Sequence, residues 1–371
     1  MPSSQALRNF DWLFFGVVLA MVALGILFIW SCTHWVPERA GMTSQQLRWF
    51  AFGLLAMLVV LAVDYSVLEW LSWPAYIAAL GGLALVMVIG VTVNNARRWI
   101  QLPGFGFMVQ PSEVAKVAVI LALARYLMHR DLREWRSLIA PLLIVGVPMG
   151  MILVEPDLGT SLTLLPVLFG MLLAAGAPPR KLMGLIGAGI LTAPLLWFFV
   201  MGNAQRGRIL SFLWPEADPS GAGWHVRESL LAISAGGMSG MGYSSGSPVL
   251  LNRGFAGHTD FIFAVIAHEW GFLGALLVVL LLFLFFSRGF AIAASTREPF
   301  GRLVAVGILS LLAFQALVNL CMTVRLCPVT GITLPFISYG GSSLLISFVM
   351  IGLVLSIGLR RKSASISREF A

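Results

Sequence analysis

Long apolar stretches separated by short polar segments repeat along the whole chain. Ten of these stretches approach the roughly 20 residues that a helix needs to cross a bilayer. They are too long and too uniformly apolar to be the alternating strands of a membrane barrel, so they predict helices. The ten predicted spans are residues 11–30, 47–63, 72–93, 113–129, 138–154, 158–175, 182–201, 261–287, 302–323 and 339–359.

The composition agrees with this pattern. Of 371 residues, 59% are hydrophobic and only 11% are charged, whereas a soluble domain carries about 25% charged residues. We therefore predict an all-α integral membrane protein in which residues 1–371 form a single ten-span membrane domain. The net charge of +8 is spread over short loops, which indicates orientation in a membrane and no nucleic-acid partner. The three cysteines form no disulfide framework and no paired-cysteine metal motif.

Basic residues are unevenly distributed between the loops on the two sides of the predicted bundle. Ten spans put both termini on one side, and that side carries Arg130, Arg133, Arg136, Arg180, Lys181, Arg288, Arg297, Arg302, Arg360, Arg361, Lys362 and Arg368. The positive-inside rule then makes both termini cytoplasmic. The one long connection, residues 202–259 between spans 7 and 8, is predicted to be a large extracytoplasmic loop. Within it, residues 228–242 predict an interfacial helix and a flexible glycine turn.

An aspartate lies at the mouth of a long apolar run. Asp260 directly precedes residues 261–286, and His258 is two residues before it. A charge at that depth requires water, a partner or a substrate, so we predict a functional site at the outer face of the membrane. His268 is predicted to pack about two turns deeper in the same helix, and Glu269 faces the opposite way.

Two pairs of charged residues are predicted on the same outer side. Arg97 and Arg98 fit either an interfacial anchor beside Trp99 or a clamp for an anionic group such as phosphate. Glu113 and Lys116 are one turn apart on a predicted helix, so a mutual ion pair is expected. That pairing leaves open why a lysine lies within a membrane at all.

Three loops on this side have unusual compositions. The turn containing Glu155 and Asp157 is either a simple connection or, through its two carboxylates, a site for a divalent cation. The glycines and aromatic residues of 104–107 predict a segment that dips into the interface. Residues 328–343 contain two prolines and three glycines, so we predict irregular backbone that lines a cavity.

Taken in order, these stretches resemble the RodA/FtsW family of SEDS proteins. The matching residues are Ala96-Arg97-Arg98-Trp99-Ile100, Gln110-Pro111-Ser112-Glu113 with Lys116, Glu155-Pro156-Asp157-Leu158-Gly159-Thr160, His258-Thr259-Asp260-Phe261-Ile262-Phe263, and the run from Asn319 through Pro328, Gly331 and Pro335 to Ser338-Tyr339-Gly340-Gly341-Ser342-Ser343. The last run is close to the family signature. A weaker likeness favours the RodA branch.

The resemblance implies a peptidoglycan glycosyltransferase of the bacterial inner membrane. Such an enzyme polymerises lipid II into glycan linked to undecaprenyl pyrophosphate, works with the elongation machinery and has a class B penicillin-binding protein as partner. The family's essential aspartate falls on Asp260. The resemblance also implies substrate binding by Arg97, Arg98, Glu113, Lys116, His258, Ser338, Gly340, Gly341 and Ser342. It allows a divalent cation, Mg or Mn, at Asp157 and Glu155, and we expect no organic cofactor.

The sequence departs from the family pattern near the aspartate. Ala256 stands where a glutamate is common, His268 where a glutamate is usual, and Glu228 where a glutamine is common. These departures leave Asp260 unchanged but do not support carrying over the family's secondary acidic ligands to this chain.

The implied reaction needs few catalytic groups. A sugar hydroxyl attacks an anomeric carbon and a lipid pyrophosphate leaves, so the site needs a base for the hydroxyl and cations for the leaving group. Asp260 is the candidate base, and Arg97, Arg98 and Lys116 are the candidate cations. Two other functions remain open, a lipid II flippase and a non-catalytic scaffold for a penicillin-binding protein. A carrier should hold its charges near the bilayer midplane.

Overall fold

The computed structural model describes residues 10–93, 96–101, 108–214, 221–245 and 254–360. These residues form a helical bundle with one small sheet. The helices are α1 (Trp12–Thr33), α2 (Met42–Ala62), α3 (Tyr65–Ile89), α4 (Pro111–Leu127), α5 (Ile139–Val154), α6 (Leu158–Ala174), α7 (Pro179–Leu195), α8 (Asn203–Leu213), α9 (Ala222–Gly236), α10 (Ile262–Ser295), α11 (Pro299–Thr323) and α12 (Gly341–Arg360). The strands are β1 (Val91–Val93), β2 (Ala96–Gln101) and β3 (Met108–Val109). Short 3₁₀ turns cover Pro37–Arg39 and Arg136–Leu138, and α7 continues as a π-helix over Leu196–Val200.

The helices confirm a multi-pass membrane protein. In the described part of the chain, eight helical segments are long and apolar enough to cross a membrane. They correspond to α1, α2, α3, α5, α7, α10, α11 and α12, each at a predicted span. The predicted fourth and sixth spans are α4 and α6, which have 17 residues each. A total of ten spans therefore stays a prediction.

The predicted bounds of the third span, 72–93, are wrong at both ends. Helix α3 begins at Tyr65 because Asp64 Oδ1 accepts a hydrogen bond from Ser66 N at 2.9 Å and so caps the helix. It ends at Ile89, and the β-branched residues that follow form β1. Strand β1 pairs antiparallel with β2, and β2 pairs with β3. No sheet is predicted from the sequence, and the predicted interfacial segment 104–107 lies outside the described residues.

Helix α10 is broken where the sequence predicts one regular span. Gly271 has φ 66° and ψ −157°, a conformation that frees backbone groups on both sides of it. Segment 237–242 supplies partners for them: Met241 N donates to His268 O and Phe272 N donates to Gly237 O, each at 2.9 Å. Irregular backbone at membrane depth requires such partners inside the protein. The predicted interfacial helix is α9, but the glycine turn after it is a packed and hydrogen-bonded element.

Ion pairs show which ends of the helices lie together. Asp11 Oδ2, at the start of α1, is 2.8 Å from Arg288 Nη2 near the end of α10. Asp64, before α3, is 3.5 Å from Arg360 at the end of α12. Since α10 has 34 residues and begins just after Asp260, both described chain ends lie at the end of the bundle opposite to Asp260.

Candidate active site

Asp260 lies in the turn that leads into α10 and is half-buried. Asn319 Nδ2 donates to Asp260 O at 2.9 Å and to Ile332 O at 2.8 Å, and Ser338 Oγ donates to Thr259 O at 2.6 Å. These bonds tie the turn to the irregular segment that precedes α12. Burial raises the pKa of Asp260 to about 6, while the Arg208 guanidinium and the Thr259 hydroxyl oppose that rise.

Arg208 is the cation beside this carboxylate. It lies on α8, and its Nη1 donates to Thr330 O at 2.9 Å. A Cβ added to Gly331 would lie 3.6 Å from Arg208 Nη1 and 3.9 Å from Asp260 Oδ2, so the two side chains flank the same glycine. Burial lowers the pKa of Arg208, as does Arg98, whereas Asp260 and then Asp157 raise it. No function is predicted for Arg208 from the sequence, because only the fold brings α8 to Asp260.

A second arginine holds the turn between α5 and α6. Arg98 Nε donates to Glu155 O at 2.9 Å, and Nη2 donates to Pro156 O. Its Nη1 is 3.8 Å from Asp157 Oδ2. Gly159 joins this turn to the Asp260 region, because a Cβ there would lie 2.6 Å from Thr330 O.

The two arginines of the predicted clamp lie in different environments. Arg97 and Arg98 are neighbours on β2, so their side chains leave opposite faces of the sheet. Arg98 is half-buried against the α5–α6 turn, while Arg97 is exposed. The structure thus brings one of the pair into the cluster of charges and leaves the other outside it.

Asp157 and Glu155, the predicted cation ligands, differ in their partners. Asp157 caps α6 by accepting from Thr160 N at 3.1 Å, and its other oxygen accepts from Gln110 Nε2 at 3.1 Å. Glu155 is 3% exposed, and neither of its oxygens has a hydrogen-bond partner among the described residues. Burial, helped by Asp157 and opposed by Arg98, raises the pKa of Glu155 to about 8. Glu155 is therefore mostly neutral at pH 7.

These two carboxylates fit a divalent cation only with help from a substrate. Among the described residues, no group of three or more His, Cys, Asp or Glu could hold a metal ion. Mg²⁺ commonly takes one or two carboxylates together with water and substrate phosphates. The unpartnered oxygens of Glu155 match that arrangement.

Glu113 and Lys116 form the ion pair expected from their spacing. Lys116 Nζ is 2.7 Å from Glu113 Oε1 at the start of α4. Both side chains are buried, with the residues 6% and 1% exposed, respectively. Ser342 Oγ donates to Met108 O at 2.9 Å, so α12 packs beside the strand that leads into α4.

The other predicted substrate ligands, among them Gly340, Gly341 and His258, pack against residues of the protein. Gly340 N donates to Gln46 Oε1 at 3.3 Å, and a Cβ on Gly341 would lie 2.2 Å from Trp49 Nε1. The ring of His258 is 5.9 Å from that of Tyr339. Burial, together with Arg39, lowers the pKa of His258 to about 4. His258 is therefore neutral at pH 7, and contact of these residues with substrate stays a prediction.

His268 and Glu269 lie deeper in α10 and make packing contacts. His268 is 1% exposed, and its Nδ1 lies 3.0 Å from Ala232 O of α9. Glu269 is equally buried and accepts from Ser31 Oγ of α1. The packing interpretation of His268 agrees with this environment.

Comparisons with known proteins agree with the geometry. A profile of the FtsW, RodA and SpoVE family, described as cell cycle proteins, matches residues 11–363. The chain is 36% identical to the probable peptidoglycan glycosyltransferase FtsW of Trichlorobacter lovleyi, over 98% of this chain and 97% of that protein. It is 37% identical to the peptidoglycan glycosyltransferase MrdB of Escherichia coli, over 94% of this chain and 93% of that protein.

Solved structures show the same architecture. A chain from a study of how a peptidoglycan synthase complex coordinates polymerization and crosslinking superposes with a TM-score of 0.82 at 33% identity, covering 95% of this chain and 98% of that one. The rod shape determining protein RodA of Thermus thermophilus superposes with a TM-score of 0.71 at 32% identity, with the same coverage.

Proposed function

We propose that Asp260 is the general base of a peptidoglycan glycosyltransferase, since the chain belongs to the FtsW, RodA and SpoVE family. The proposed substrates are two lipid-linked glycans of the lipid II type. The acceptor sugar hydroxyl attacks the anomeric carbon of the donor, the bond from that carbon to the diphosphate breaks, and the hydroxyl proton passes to Asp260. One carboxylate suffices, because the diphosphate leaves without needing a proton.

The observation that carries this proposal is the position of Asp260 beside Arg208 at one end of the bundle. A pKa of about 6 leaves the carboxylate mostly ionised at pH 7 and still basic enough to accept a proton. Without a nearby cation, burial would raise the pKa further and leave less of the base ionised.

Arg98 and Arg208 are the proposed cations for the leaving diphosphate. The charges of the two arginines act on each other, since Arg98 contributes to lowering the pKa of Arg208. Two guanidinium groups held close together repel each other. An anion with several oxygens relieves this repulsion when it accepts hydrogen bonds from both groups. Lys116 is less suited than the sequence suggested, because its ammonium is buried and paired with Glu113.

A divalent cation is a proposed helper at Glu155 and Asp157. When bound, it would add positive charge near the leaving diphosphate. Glu155 would have to release its proton to bind the ion, since burial holds its pKa near 8. The proton transfer to Asp260 does not depend on this ion.

We further propose the topology and partner that the family relation suggests. Ten spans would place the termini in the cytoplasm and Asp260 at the outer face of the inner membrane, with residues 202–259 outside. The similarity to a chain of a complex that coordinates polymerization and crosslinking supports a class B penicillin-binding protein as partner. The relatives named FtsW and MrdB are 36% and 37% identical, so sequence identity does not separate the two branches. We propose duty in elongation, which is tested by whether the chain rescues cells that lack their own MrdB.

The direct test is polymerisation of labelled lipid II by the purified full-length chain in lipid vesicles. We expect Asp260→Asn to abolish chain formation while leaving the protein folded. The matched control is Asp131→Asn, the same change at an exposed loop residue, and it should retain full activity. Adding a cognate penicillin-binding protein in a second set of assays tests whether that partner raises the rate.

The test also separates the rival functions. A flippase would move labelled lipid across the vesicle membrane without lengthening it, and a scaffold would do neither alone. Glycan chains made equally well by Asp260→Asn would overturn the assignment of the base. The clustering of Arg98, Asp157 and Asp260 at one end of the bundle favours an enzyme over a carrier with charges at the midplane.

A further inference from the structure

A cavity lined by charged and aromatic residues lies at the end of the bundle opposite to Asp260. It opens between the first turns of α3 and the last turns of α4, has a volume of about 520 Å³, and is lined by Glu69, Trp73, Arg125, Tyr126, Met128, His129 and Arg130. Small-ligand sites commonly have volumes of about 300–1,000 Å³. The proposed reaction uses none of these residues.

Cationic groups predominate in the wall of this cavity. Arg125 is paired with Glu69, whereas the guanidinium of Arg130 lies 5.0 Å from the centre of the Tyr126 ring. Arg130 and His129 are exposed. Glu69, the one carboxylate among these lining residues, is thus engaged by Arg125, whereas the exposed guanidinium of Arg130 lies over an aromatic ring and can donate to an anion.

Aromatic residues place the mouth of the cavity at the depth of lipid headgroups. Trp73 is 40% exposed and its ring lies 6.0 Å from that of Tyr76, while Trp70, one turn before it on α3, is 77% exposed. Tryptophan and tyrosine prefer this level of a membrane. Basic pockets between helices at this depth suit phosphate-bearing headgroups.

We propose that this cavity binds the phosphate of an anionic membrane lipid, with Arg130 and Arg125 as donors and Trp73 and Tyr126 flanking the glycerol region. A guanidinium donates two parallel hydrogen bonds to phosphate oxygens, which favours arginine at such a site. Lipid phosphates are concentrated at the level of the tryptophans, unlike a soluble anion.

The experiment measures lipid retention by the full-length chain. The protein is reconstituted in phosphatidylcholine vesicles with and without phosphatidylglycerol, extracted, and analysed by native mass spectrometry and by thermal unfolding. We expect retained phosphatidylglycerol and a raised melting temperature in the wild type. Arg130→Gln should weaken retention by at least about tenfold, because it removes hydrogen bonds between charged groups.

A matched variant controls for the loss of charge alone. Arg133→Gln removes the same charge three residues away, where Arg133 pairs only loosely with Asp131 at 4.0 Å and its side chain is 89% exposed. Arg133→Gln should retain phosphatidylglycerol as well as the wild type does, and Arg130→Lys should retain part of it. Equal loss in Arg130→Gln and Arg133→Gln would overturn the proposal. Equal protection by inorganic phosphate added to pure phosphatidylcholine vesicles would also overturn it.

Discussion

Lys116 Nζ and Glu113 Oε1 are 2.7 Å apart, and both side chains are buried at the start of α4. The pair is one helical turn apart, so it forms within α4 itself. Because the ammonium is directed at a carboxylate of its own helix, the pair has a structural function even if substrate also approaches it. A charge buried here without its partner would be strongly unfavourable.

Removing one member of this pair should therefore destabilise the protein. We expect Lys116→Met to lower the free energy of unfolding by about 3–5 kcal/mol, because Glu113 is left buried and unpaired. The double variant Glu113→Gln with Lys116→Met should recover most of that loss. Thermal unfolding in detergent measures both. Arg133→Met, in an exposed pair, should have little effect, and a stable, inactive Lys116→Met would instead indicate substrate binding.

The pH profile of polymerisation should report Asp260. With a pKa of about 6, the base is lost as pH falls through 6, so activity should decline on that acid limb. Arg208→Gln removes a positive charge that lowers this pKa, so the acid limb should move to higher pH. The plateau activity in alkaline buffer should stay below that of the wild type, because Arg208 is also a proposed cation for the leaving diphosphate. Arg208→Lys should shift the limb less, because it keeps the charge.

The matched control for this profile is Arg206→Gln on the same helix. Arg206 donates to Phe198 O at 3.1 Å rather than approaching Asp260. The acid limb of the pH profile of Arg206→Gln should lie at the same pH as that of the wild type. An unshifted limb in Arg208→Gln would show that Arg208 does not tune the base.

The break in α10 should depend on glycine at one position of segment 237–242. Gly240 has φ +83°, and a Cβ there would lie 2.0 Å from Glu269 O, whereas Gly237 has φ +53° with nothing within 4 Å. Either change to alanine strains the backbone by about 1–3 kcal/mol. Gly240→Ala should cost about 1–3 kcal/mol more, because atoms of α10 must also move. Comparing the melting temperatures of the two variants measures the difference, and equal values would contradict the packing described here.

Stability should depend on pH through Glu155. Its pKa is raised to about 8 from an ordinary value of 4.5, so the folded state favours the protonated form. Relative to its value below pH 4.5, the stability should fall as pH rises from about 4.5 to about 8, where the unfolded state has released this proton and the folded state still holds it, and should level off above that. Glu155→Gln mimics the neutral acid, so it should flatten this part of the stability curve. Unfolding midpoints between pH 5 and pH 9 measure it, without added divalent cations, and an unchanged slope would rule Glu155 out as the cause.

Several features of the fold followed from local pattern alone. The lengths of the apolar stretches predicted where the helices lie. A segment in lipid must satisfy its own backbone hydrogen bonds, which favours a helix, and a helix needs about 20 apolar residues to cross the bilayer. The spacing of Glu113 and Lys116 predicted their ion pair, since residues three apart meet on a helix surface. The placement of Asp260 before an apolar run indicated the site.

Other features depended on segments far apart in the chain. No local pattern indicated that Arg208 would reach Asp260 or that Arg98 rather than Arg97 would turn toward Asp157. Nor did any pattern indicate that segment 237–242 would enter the break at Gly271. Each of these contacts forms only when helices pack, because hydrogen bonds and buried charges between distant segments depend on position in space and not on spacing in the chain. Local pattern thus determined the helices and the site's location, while tertiary packing selected which charged groups share it.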